Sequence, residues 1–134
     1  MEKIPIIKVG EILLVSIQID FHDRLALALL DDLSNKIVDT GAKGVLIDIS
    51  GLEMVDSFMG RIIGNIAKTA RLLDAQTVLV GMQPAIAMTI TELGISLKGI
   101  RTALDAEAGL GLLKKMIRDP IVAGSNNGRQ IPRN

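Results

Sequence analysis

Short runs of β-branched and other apolar residues alternate along this chain with stretches whose apolar residues recur every three or four positions. The first pattern belongs to strands and the second to helices, and strict alternation of the two implies a sheet covered by helices. Ile4 to Lys8 and Ile12 to Ile19 read as strands joined through Val9-Gly10-Glu11 in a hairpin-like turn. Asp20-Phe21-His22-Asp23 resembles a helix start, with Asp20 as its cap and Asp23 favouring the positive end of the helix dipole. Leu25, Leu29, Leu30, Leu33 and Ile37 then keep helical spacing up to Gly41, a natural stop. Val45 to Ile49 is nearly all apolar, as a central strand covered on both faces must be.

A second helix is predicted over residues 58–73, with Phe58, Ile62, Ile63, Ile66, Ala70 and Leu73 on one face. Thr77 to Val80 is the next strand, and Pro84 suits the first turn of a helix that runs to Leu93 and stops at Gly94. Ile100 to Leu104 is a last short strand, and Ala106 to Ile117 a terminal helix weakened by Gly109 and Gly111. The order β-β-α-β-α-β-α-β-α predicts an α/β domain over residues 1–118. Its sheet is mixed, with four to five strands, about four helices, an antiparallel edge from the first hairpin and right-handed crossovers. Residues 119–134, rich in Gly, Ser and Asn without apolar period, are expected to form a flexible C-terminal tail.

Several functions are excluded by what the chain lacks. Lys plus Arg and Asp plus Glu both number 15, so no net field draws it to nucleic acid or an anionic membrane. Phe21 and Phe58 are its only aromatic residues, which leaves no platform for stacking bases. Without cysteine there is no disulfide, thiolate metal site or thiol nucleophile. His22 stands alone, so no histidine metal cluster or triad can be assembled and no cofactor is expected. No loop ends in Gly-Lys-Ser/Thr and no dinucleotide fingerprint is present. Met1 to Pro5 has no signal-peptide character, and the longest apolar run, Leu25 to Leu30, is far short of a bilayer span. A cytoplasmic, non-enzymatic protein is the expectation.

Asp48, at the end of a buried strand, reads as a loop-tying carboxylate because no second acid stands at a telling spacing. The Leu110 to Ile117 segment with Lys114 and Lys115 is too short and too weakly basic for a membrane-surface helix, so core packing is expected. Asp56-Ser57 follows the central strand where the next helix begins. On its chemistry alone Ser57 reads as an ordinary N-cap accepting an N–H near Met59 or Gly60. The same position can host a phosphate on the free N–H groups of a helix start, with Arg61 in the first turn to help. Gly60 and Gly64, one turn apart, each cost about 1 kcal/mol relative to Ala in a helix interior. With Lys68 they form a stripe leading away from Ser57, either packed internally or presented as an exposed docking surface.

The segment from Val45 to Arg61, with its Asp56-Ser57-Phe58-Met59-Gly60-Arg61 ending, resembles the signature of STAS domains. Its particular form is similar to the RsbS-type scaffold proteins of bacterial stressosomes. Val80 to Gly94 and Gly99 to Leu104 agree, so the resemblance covers residues 4–117. It implies a scaffold for the general stress response that self-associates with RsbR-type STAS paralogues and sequesters an RsbT-type serine kinase. The kinase is released when it phosphorylates the scaffold, and a serine phosphatase resets the system. Carried over by residue, the phosphoacceptor is Ser57, and Thr89 matches a secondary phosphosite of the RsbR-type paralogues; Asp56, Gly60, Arg61 and Gly64, beside Ser57 at the helix start and along the stripe, are the candidate partner-binding residues. The alternative is a small STAS anti-sigma factor antagonist regulated at the same serine. There a small residue and Gly-Leu follow the acceptor, and Phe58-Met59-Gly60 departs from that.

Overall fold

The computed structural model describes residues 3–18 and 23–119. Nine elements follow one another in the expected order: β1 (Ile6–Val9), β2 (Ile12–Ser16), α1 (Asp23–Thr40), β3 (Gly44–Asp48), α2 (Ser57–Leu72), β4 (Gln76–Val80), α3 (Pro84–Glu92), β5 (Arg101–Ala103) and α4 (Ala106–Arg118). The five strands form one sheet in the order β1-β2-β3-β4-β5, which puts β3 at its centre. Only the β1–β2 pair is antiparallel; the other three pairings are parallel, with Val45 opposite Leu13 and Thr77. The sheet is therefore mixed, and the edge hairpin supplies its antiparallel part.

Why β3 reads as continuously apolar is visible in its two faces. Val45 and Ile47 point into a large core shared with Leu29, Leu33 and Ile37 of α1, Ile62, Ile63 and Ile66 of α2, and Ile86 and Ile90 of α3. Leu46 points the other way, into a smaller core with Ile12, Val78 and Val80 of the sheet and Leu113 and Met116 of α4. Three helices thus cover one face and α4 the other, so alternate residues of a central strand are both buried. The apolar period of Leu110 to Ile117 serves this second core, as expected, while Lys114 and Lys115 stay exposed.

Two glycines close helix ends. Gly41 and Gly94 both take positive φ, +68° in each case, Gly41 directly after α1 and Gly94 after the Leu93 C-cap of α3. Pro84 occupies the first turn of α3, while Gln83 before it makes no side-chain cap. Its Nε2 instead donates to the carbonyls of Ser50 and Leu52 at 3.0 and 3.3 Å, tying the start of α3 to the loop that leads into α2. Gly109 is not a weakness of α4. A Cβ there would lie 2.5 Å from Val80 Cγ1 and 2.6 Å from Leu46 Cδ1, so its absence lets the helix rest on the sheet. Gly111, by contrast, faces open space.

The expected cap Asp20, His22 and the expected tail from residue 120 onward lie outside the described residues. Among the described residues no helix is long and apolar enough to cross a membrane.

Candidate functional site

At the end of β3 the chain turns sharply, and three side chains organise the turn. Asp48 Oδ1 accepts from the Ser50 N–H at 2.9 Å, the loop-tying role read from its position. Leu52 and Val55 are buried and anchor the loop to the larger core. The loop therefore delivers Asp56 and Ser57 to the surface at a defined place, the first turn of α2.

Ser57 is not the N-cap. Asp56 is: its backbone is extended, at φ −111° and ψ 177°, and its Oδ1 accepts from the Met59 N–H at 2.8 Å. Asp and Ser are comparably good caps, so either could take the position; here the chain enters the helix after Asp56, and Ser57 becomes the first helical residue. Ser57 is exposed, and its hydroxyl has no hydrogen-bond partner among the described residues. The hydroxyl is therefore available for chemistry without dismantling the helix start. Among the described residues no group pairs the backbone N–H of Ser57 or Phe58 at the positive end of a 16-residue helix, while Asp56 occupies that of Met59.

Arg61 lies one turn below Ser57 and is exposed, as Lys68 is two turns further on. Gly60 does not share that exposure. It is buried under Ile95 from the loop after α3, and a Cβ at Gly60 would collide with that side chain, with Cγ2 only 3.0 Å away. Of the two readings left open for the stripe, internal packing holds at Gly60: close packing against the protein's own loop explains this glycine. Gly64 is half-buried, and the nearest atom to a Cβ there is the Ser96 carbonyl oxygen at 3.8 Å. Between α2 and the loop of residues 93–96 runs an open groove of about 330 Å³, with Ser57 at one end, Gly64 in its floor and Arg61, Asn65 and Lys68 along its side. The far wall, Leu93 to Ser96, was missing from the sequence reading because nothing local pairs position 60 with position 95.

Thr89 sits apart from this arrangement in kind. It is half-buried on α3, and its Oγ1 donates to the Ala85 carbonyl at 3.0 Å. A phosphate there would first have to replace that bond.

The protein-family model for the STAS domain matches residues 3–117. The chain belongs to the STAS domain family. Two solved structures are similar across most of this STAS domain. One is Moorella thermoacetica RsbS carrying a serine-to-glutamate substitution, 39% identical with a TM-score of 0.77, covering 86% of this chain and 97% of that one. The other is a chain from the molecular architecture of the stressosome, described as a signal integration and transduction hub. It is 41% identical with a TM-score of 0.76, covering 85% of this chain and 99% of that one. Among curated proteins, the RsbT co-antagonist protein RsbRA of Bacillus subtilis (strain 168) is 37% identical over 87 residues, which is 58% of this chain and 32% of RsbRA. The match thus spans about a third of that relative's length.

Proposed function

We propose that this STAS protein is a non-enzymatic stressosome scaffold of the RsbS type, acting in the cytoplasm. Unmodified, it captures an RsbT-type serine kinase within an assembly shared with RsbR-type paralogues. Phosphorylation of Ser57 releases the kinase, and a serine phosphatase restores capture. The observation that carries this reading is the match to RsbS over 97% of that protein's resolved chain at 39% identity. The local geometry supports it, because Ser57 is exposed, without a hydrogen-bond partner among the described residues, and held at the start of α2. The co-antagonist name of the Bacillus relative supports the kinase as partner.

The switch is a change of charge. A phosphoserine adds about 1.5 to 2 negative charges at pH 7. The unpaired N–H groups of the first turn and the Arg61 guanidinium stabilise that charge on the free scaffold. Against a docked partner the dianion stands beside the Asp56 carboxylate and has to be desolvated. That costs several kcal/mol when unpaired, where about 1.4 kcal/mol already weakens binding tenfold.

The test is incubation with an RsbT-type kinase and ATP, followed by phosphopeptide mapping and pull-down. Phosphate on Ser57 with loss of kinase capture is the expected result. Phosphate on Thr89 with Ser57 untouched would overturn the assignment.

A further inference from the structure

The groove beside α2 has a charge character that the switch alone does not use. Its charged lining residues are Arg61 and Lys68, and no carboxylate lines it. Both cations are exposed, and neither forms an ion pair with a described residue. They stand seven positions apart on one helix, two turns or about 10 Å. An extended peptide of the polyproline II type, with three residues per turn and a rise of about 3.1 Å, places carboxylates at i and i+3 on one face about 9 Å apart, close to that separation. Between the cations the wall is apolar at Leu93, which is 47% exposed, and at Ile95. The floor at Gly64 carries no side chain, so a backbone can approach α2 closely there.

We propose that this groove is the docking site for an acidic, partly apolar, extended segment of a partner protein, with its carboxylates on Arg61 and Lys68 and its apolar side chains on Leu93 and Ile95. The inference deepens the scaffold reading, because Ser57 lies at the mouth of the same groove. A phosphate at Ser57 is one helical turn from Arg61 and competes with the segment's carboxylate for that guanidinium. The groove thus gives the switch a local lever: modification removes one of the two cations that hold the partner. Nucleic acid fits poorly by comparison, since the groove offers two cations and no aromatic platform.

The full chain, isotope-labelled, is titrated with a terminally blocked peptide of repeating glutamate-leucine-leucine while backbone amide shifts are followed by NMR. Shifts are expected at Gly64, Asn65 and Ser96. Combining Arg61→Gln with Lys68→Gln should weaken binding roughly tenfold, two exposed charge contacts each contributing a fewfold factor. Gly64→Leu should abolish binding by filling the floor; its Cβ has room, so an unchanged melting temperature distinguishes plugging from unfolding. Ser57→Glu should weaken the peptide as well. Equal binding of the peptide with lysine in place of glutamate overturns the proposal. So do shifts confined to another surface, unchanged affinity in the double variant, or the same shifts from a single-stranded oligothymidylate. Peptide binding is measured without kinase, so a failure to phosphorylate Ser57 defeats the scaffold reading and leaves this result standing. Loss of the peptide effect with Ser57 still phosphorylated does the reverse.

Discussion

Replacing Asp56 with alanine removes the acceptor for the Met59 N–H and is expected to cost about 1 kcal/mol, measured by urea denaturation. Ser57→Ala should change stability by much less, because its hydroxyl bonds to no described residue. Had Ser57 been the cap, the two effects would be reversed. On the proposed scaffold reading the separation of roles matters for signalling, since a modified side chain that also held the helix start would couple phosphorylation to unfolding. Thr77 is a second residue whose surroundings make a sharp expectation. It is 4% exposed on β4, and its Oγ1 has no hydrogen-bond partner among the described residues. A buried hydroxyl without a partner is destabilising, so Thr77→Val should raise stability by about 1 kcal/mol in the same assay. A decrease would show that the hydroxyl makes a bond to solvent or to another part of the chain.

At the scale of the element, the two glycines of α4 separate propensity from packing. Gly111→Ala is expected to stabilise the protein by about 0.5 to 1 kcal/mol, because nothing lies within 4 Å of the new methyl group. Gly109→Val should destabilise by about 1 to 3 kcal/mol, since its side chain would enter the space held by Val80 and Leu46. Thermal melting of both variants checks the opposite signs. From the sequence the two look alike, each a poor helix former inside a helical period. The element itself was legible from Leu110, Leu113 and Met116 to Ile117, whose spacing marks the face that meets the sheet. In α2 the apolar face from Ile62 to Ala70 was equally legible. Its opposite edge was not, because the residue that covers Gly60 comes from a loop beyond β4 and α3.

For the molecule as a whole, the exposed helix start and the groove below it lie on one side, which is the working side on the proposed scaffold reading. Ser57→Asp is expected to keep the fold, since a carboxylate at the first helical position favours the positive end of the dipole. It should weaken kinase capture, though by less than a true phosphate because it carries about half the charge. Size-exclusion chromatography with an RsbR-type partner, with and without the kinase, reads both effects. Unimpaired capture by the Asp variant together with release on phosphorylation would place the effect in the phosphate's size and geometry rather than its charge.

The order of nine elements, the central place of Val45 to Ile49, the stops at Gly41 and Gly94 and the delivery of Ser57 to a helix start were all determined by the sequence. Each depends on residues within a few positions of one another, where apolar period, backbone preference and turn chemistry act locally. Tertiary structure alone decided that Asp56 and not Ser57 caps α2, because adjacent residues with equal capping ability are separated only by where the incoming loop enters the helix. It also decided that Gly60 makes room for Ile95 and Gly109 for Val80, while Gly64 and Gly111 are left open. A glycine's local conformational cost is the same in all four places. What differs is the neighbour, and the neighbour arrives from a distant part of the chain.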